Sequence, residues 1–175
     1  MNHEAKHVAL ARGKWSQPLV PHRGWTCVDH YDAFEAHGDE EFETCEMCET
    51  TPIRFVHLME HPDYAGQLHC GCVCAGHMEQ SKVRAETRDK GMRNRAVKRT
   101  KFPTRKGWRV SVRGTPHIKV DGYHLMVVHR KGGFAVGVTP PGSTEPIWGQ
   151  RIYKAAVDAQ LGCFDALEYI RNKRN

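Results

Sequence analysis

The sequence lacks any apolar run near the ~20 residues that a membrane span requires. Its opening stretch, Met1 to Trp15, has no apolar core of the kind a secretory signal carries. Both absences set the expectation of a cytoplasmic protein with no membrane partner. Internal repeats and low-complexity tracts are missing too, which excludes solenoids and repeat arrays. With 39% hydrophobic residues and a mean hydropathy of −0.62 in 175 residues, the chain is too polar for one large core. Two small modules fit better. There is no Ser-His-Asp set, no glycine loop of the phosphate-cradling type and no convincing carboxylate pair.

Charge is absent in one sign over a long stretch. Between Gly24 and Ile53 no Lys or Arg occurs, against nine Asp or Glu. The compensation is concentrated: from Gln80 to Arg113 there are thirteen Lys or Arg and two acids, in a chain whose net charge is +6. A dense basic segment in an otherwise mildly acidic protein points to an anionic partner. Its few apolar positions (Val83, Met92, Val97) give it no bulky face for a membrane surface. Phosphate contact is the better reading. The residues expected to make it are Arg93, Arg95, Lys98, Arg99, Lys101, Arg105, Lys106, Arg109 and Arg113, with DNA favoured over RNA.

What the sequence has in excess is cysteine, seven in all. In a reducing compartment, clustered cysteines hold metal rather than disulfides. Cys45 and Cys48 form a C-x2-C knuckle whose thiolates can converge on one ion. A structural zinc needs four N or S ligands in a tetrahedron, so the other half must come from the segment Cys70 to His77. We expect Cys72 and Cys74 to complete the set. Cys74 with His77 is the alternative pair, and His57 or His61 is another source of the fourth ligand. A β-rich stretch at Ile53–Leu58, a turn at Pro62–Gly66 and a return at Gln67–Cys70 make a hairpin between the two halves.

The stretch from Cys45 to Met78 resembles a class of small zinc-binding modules of phage and bacterial proteins. Their pattern is a C-x2-C knuckle, a hairpin and a V-G-x-x-C-A segment opening a helix. Here that segment reads Cys70-Gly71-Cys72-Val73-Cys74-Ala75, with Cys70 where Val is usual. The resemblance covers about a third of the chain and implies bound Zn2+ in a zinc-ribbon or treble-clef-like fold, in the cytoplasm of a bacterial host.

His57, Glu60 and His61 spell H-x-x-E-H, the inverted zinc-protease signature. That chemistry needs the two histidines on one turn of helix, with the Glu as general base. The flanking residues here favour a strand, where positions four apart stand about 13 Å from each other. A hydrolase is therefore the weakest reading, behind a protein–protein adaptor or inhibitor using the acidic stretch Asp29–Glu49.

Beyond the basic segment, Trp108–Arg113, Tyr123–Arg130 and Phe134–Thr139 read as strands, with Lys131-Gly132-Gly133 as a hairpin turn. A helix from Tyr153 to about Arg171 can share Ala156, Cys163, Phe164, Leu167 and Ile170 on one face. Trp108, Tyr123, His124 and Phe134 interleave with Arg109, Lys119 and Arg130, the mixture that stacking and phosphate contact require. The segment from Trp108 to Leu167 resembles the β-β-β-α DNA-binding domains of the AP2 and integrase-arm type. The expected fold is α+β: an N-terminal arm (1–23), a zinc module (24–79), a basic helical linker (80–106) and a β-β-β-α module (107–175). The expected function is non-enzymatic binding of nucleic acid.

Overall fold

Glycine and the turn residues place most of the sheet. Asp121-Gly122 and Lys131-Gly132 each leave two residues between paired strand ends, with Asp121 at φ 48°, Gly122 at 82° and Gly132 at 92°. At Asp121-Gly122, positive φ at both central residues gives the tight turn whose twist matches that of the strands, while at Lys131-Gly132 only the glycine is left-handed. The structure, a computed structural model, describes residues 10–174. The chain forms two compact units, residues 1–96 and 97–175. The fold is α+β in both.

In the first unit, β4 (Phe55–His61) is the centre of a three-stranded antiparallel sheet, flanked by β1 (Thr26–Asp32) and β5 (Tyr64–Cys70). The β4–β5 hairpin is the one expected between the cysteine groups, and its register places His57 opposite Cys70. Strand β1 is an addition to that expectation. Two-residue strands β2 (Glu43–Thr44) and β3 (Pro52–Ile53) pair around the C-x2-C knuckle. A short helix α1 (Ala33–His37) follows β1, capped by the Asp32 carboxylate, which accepts from the Phe34 N–H. Helix α2 (Cys72–Met78) begins two residues after β5. The core is Trp25, Met47, Val56, Met59, Leu68 and Met78 with the four cysteines 45, 48, 70 and 74.

The basic segment is helix α3 (Lys82–Lys101). The unit boundary falls inside it. It is more than a linker: Ala85 joins the first core, and Met92 and Ala96 pack with Phe55. The arm expected to be loosely ordered is also tied down in its described part. Gly13–Ser16 form a 3-10 turn, and the Lys14 N–H donates to the Met47 carbonyl at 2.9 Å.

The second unit holds a five-stranded antiparallel sheet in the order β10-β9-β8-β7-β6: β6 (Arg109–Val110), β7 (Pro116–Val120), β8 (Tyr123–Arg130), β9 (Gly133–Thr139) and β10 (Ile147–Trp148). Three strands were expected. Ser111 and Gly114 close a turn that ends β6 early, and β7 starts at a proline paired to an edge residue. A proline is tolerated there because the position is marginal to the ladder. Helix α4 (Ala156–Arg174) covers one face with Ala159, Cys163, Phe164 and Leu167 against Ile118, Leu125, Val127 and Val136. Phe102 completes this core and is capped by Trp108, whose Nε1 donates to the Phe102 carbonyl at 2.9 Å.

Gly162 in α4 exists for Tyr153, whose hydroxyl end occupies the space a Cβ would need. Tyr153 cannot retreat easily, because its backbone is bridged to Phe134 in both directions. Alanine would gain about 1 kcal/mol of helix propensity, but overpacking costs about 1–3 kcal/mol. Gly162→Ala is therefore expected to destabilise the second unit in denaturant titrations by about 1 kcal/mol. The same change in a Tyr153→Phe background is expected to recover only part of that loss, because the ring carbons Cζ and Cε2 also stand within 3.0 Å of the added Cβ.

Candidate functional site

The knuckle is shaped by its own backbone. The Cys45 N–H donates to the Thr51 carbonyl at 2.9 Å and the Glu49 N–H to the Cys45 carbonyl at 2.7 Å, with Glu49 left-handed at φ 57°. The Glu46 N–H reaches the His69 carbonyl at 2.8 Å, which ties the knuckle to β5. Gly13 lies so close that a Cβ would stand 2.7 Å from the Cys48 carbonyl carbon.

These contacts bring Cys45 and Cys48 to Cys74, on the first turn of α2. The three sulfurs lie within 4.8 Å of one another and all three residues are buried, a group able to hold a metal ion. All seven cysteines are free of disulfides. Cys45 Sγ accepts the Gly71 N–H, and Trp15 Nε1 points at Cys74 Sγ, both at 3.4 Å. Donors aimed at sulfur suit thiolates. The Cys70 and Cys74 thiols hydrogen-bond to Cys45 and hold it well below the usual thiol pKa, and the same bonds with burial raise their own.

Cys72, expected beside Cys74, stands elsewhere. Two residues apart on a helix is roughly 200° of rotation, so the first and third positions of α2 face opposite ways. Cys72 falls instead into a second group with His57 and Asp89, whose ligand atoms also lie within 4.8 Å of one another. Cys70 is fully buried with its thiol hydrogen-bonded to Cys45, but its sulfur is not among the three that lie within 4.8 Å of one another. Its signal in the sequence was its position as the last residue of a strand leading into the helix. His77 is exposed with its ring against Trp15, and His61 lies against Trp25, so neither belongs to the cluster. His57, Glu60 and His61 are on strand β4, as the flanking residues implied.

The nine basic residues divide. Arg93 pairs with Asp89 at 2.6 Å and lies over the Phe55 ring; Arg95 pairs with Glu35; Arg99 makes a bidentate pair with Asp165, both bonds at 2.9 Å. These three are engaged within their own units. Lys98, Lys101, Arg105, Lys106, Arg109 and Arg113 are exposed.

The sheet of the second unit has one face away from α4. Opposed residues in antiparallel strands share a face, so the register defines a row across all five strands: Arg109, His117, Met126, Gly137, Trp148. A second row runs Lys119, His124, Thr139. The His117 and His124 rings meet edge to face at 5.4 Å. Burial, then His117 and Lys119, lower the His124 pKa from the ordinary histidine value. Trp148 lies on Gly137, and the Arg130 guanidinium stacks on it at 4.5 Å. Neither row contains a carboxylate.

No family model, curated protein or solved structure matches the chain. No helix among the described residues is long and apolar enough to cross a membrane.

Proposed function

We propose that this chain is a non-enzymatic nucleic-acid-binding protein whose first unit is organised by zinc and whose second unit binds DNA through the open face of its sheet. For the metal, the support is the donor set. Cys45, Cys48, Cys70 and Cys74 are all buried, with no carboxylate among them. Cys45, Cys48 and Cys74 would supply three sulfurs and Cys70 the fourth, a donor set that suits a structural Zn2+. Knuckle, hairpin and helix in that order make the arrangement treble-clef-like.

The observation that carries the nucleic-acid reading is the pair of cross-strand rows, in which Arg109 and Lys119 stand with His117, His124 and Trp148 without a carboxylate, and Arg130 stacks on Trp148. Cations among flat rings provide phosphate contact and base or sugar stacking together. Lys98, Lys101, Arg105, Lys106 and Arg113 extend the basic character along the chain.

The test is metal content together with a salt titration of binding to a generic duplex and a generic single strand. About six phosphate contacts would cost on the order of a thousandfold in affinity between roughly 50 and 200 mM salt. One zinc with no binding at low salt would overturn the reading and turn attention to a protein partner for the acidic stretch of residues 29–49.

A further inference from the structure

We propose that His57, Cys72 and Asp89 form a second metal site, separate from the cysteine cluster, that takes a divalent transition ion of the Zn2+ and Co2+ class. The three side chains come from β4, α2 and α3 and offer nitrogen, sulfur and oxygen within 4.8 Å of one another. An independent observation points to a missing ligand. His57 is fully buried, and its Nε2 is the one buried side-chain polar atom among the described residues with no hydrogen-bond partner. An unsatisfied buried polar atom costs about 1–3 kcal/mol, and such atoms are rare unless a water, an ion or a function explains them.

The donor set selects the ion. Imidazole and thiolate exclude Mg2+ and Ca2+, which want oxygen throughout, and favour borderline metals. Cys72 is half-buried, and with Asp89 and Arg93 it lines a cavity of about 520 Å3 whose wall also includes the buried Cys45, Cys48 and Cys74. Three protein ligands with an open side leave room for a water or a small anionic ligand in the fourth position, which a closed structural site does not.

Two arginines compete with the ion. Arg88 Nε donates to His57 Nδ1 at 3.3 Å, and Arg88 also pairs with the buried Glu79. With Nδ1 accepting, the proton of the neutral ring sits on Nε2. An ion at Nε2 needs the other tautomer and an acceptor for the Nδ1 proton, as metal-bound histidines usually have. Arg88 must then turn from the ring toward Glu79. Arg93 holds Asp89 in the same way. The site is therefore weaker than the cysteine cluster, and its affinity is set by Arg88.

The experiment is a Co2+ titration of the full chain carrying one zinc, followed by visible absorption and by metal counting after gel filtration. The expected result is a second equivalent, weaker than the first, with tetrahedral-type bands and charge transfer from a single thiolate. Asp89→Asn and Cys72→Ser are each expected to weaken it at least tenfold and to keep the zinc. Arg88→Gln removes the competing charge and offers Nδ1–H an acceptor, so it is expected to tighten the second equivalent several-fold. Three results would overturn the proposal: no second equivalent at saturating Co2+, a second equivalent unchanged in both Asp89→Asn and Cys72→Ser, or loss of the zinc itself in Cys72→Ser.

Discussion

With zinc held as proposed, replacing Cys45, Cys70 or Cys74 by Ser is expected to release it and unfold the first unit, while Cys72→Ser keeps both. The reasoning starts from the core. Four of its fully or nearly buried residues are the cysteines themselves, and the strands around the knuckle are two residues long. Without the ion the knuckle is held by a few backbone bonds and by the turn at Gly13–Ser16. Structural zinc contributes roughly 10–16 kcal/mol in small modules, which exceeds most of the stability of an ordinary domain, about 5–15 kcal/mol. Removing one sulfur therefore changes the state of the unit and does more than lower its melting temperature. Metal analysis and amide resonances of β4 and β5 would report it. The second unit has its own core, from Phe102 to Leu167, and its resonances are expected to persist. A chain that loses zinc with Cys72→Ser but keeps it with Cys70→Ser would reverse the ligand assignment. Chelator treatment should reproduce the cysteine variants.

Trp148→Ala is expected to weaken single-strand binding by about 1–3 kcal/mol, the usual worth of one stacked base, and to leave the salt dependence unchanged. The indole lies on Gly137 with Arg130 against it, so its removal takes away a flat surface and loosens a cation without removing charge. Arg109→Ala and Lys119→Ala are expected to do the reverse. Each would reduce the slope of log affinity against log salt by about 1 and weaken all sequences alike. Arg99→Ala serves as the contrast. Its guanidinium is held by Asp165 in a partly exposed bidentate pair, worth about 1 kcal/mol or less. That change should register in stability and hardly at all in the salt slope. If Arg99→Ala and Arg109→Ala lower the slope equally, the division of the basic residues into paired and contacting groups is wrong.

Much of this was legible in the residues. The C-x2-C knuckle, the hairpin between the cysteine groups, the Lys131-Gly132 turn and the buried face of α4 with Cys163, Phe164 and Leu167 all follow from signals within a few positions of one another. Turn chemistry and hydrophobic period are local, and the chain alone specifies them. Strand β7 was missed although the Asp121-Gly122 turn after it is a recognised signal, because Pro116 reads as a break until its edge position is seen.

Tertiary structure decided which like residues do which work. Cys70, Cys72 and Cys74 are interchangeable in spacing arguments. The helix starting at Cys72 turns that thiol toward His57 and Asp89 and leaves Cys70, on the strand, beside Cys45. Likewise nine basic residues look alike in a charged segment, yet Arg95 finds Glu35 sixty positions away and Arg99 finds Asp165 sixty-six away. Composition and spacing determined that the chain gathers thiols and carries a basic stretch. The direction each side chain takes depends on partners distant in sequence, so only the folded chain separates ligand from neighbour and paired cation from exposed one.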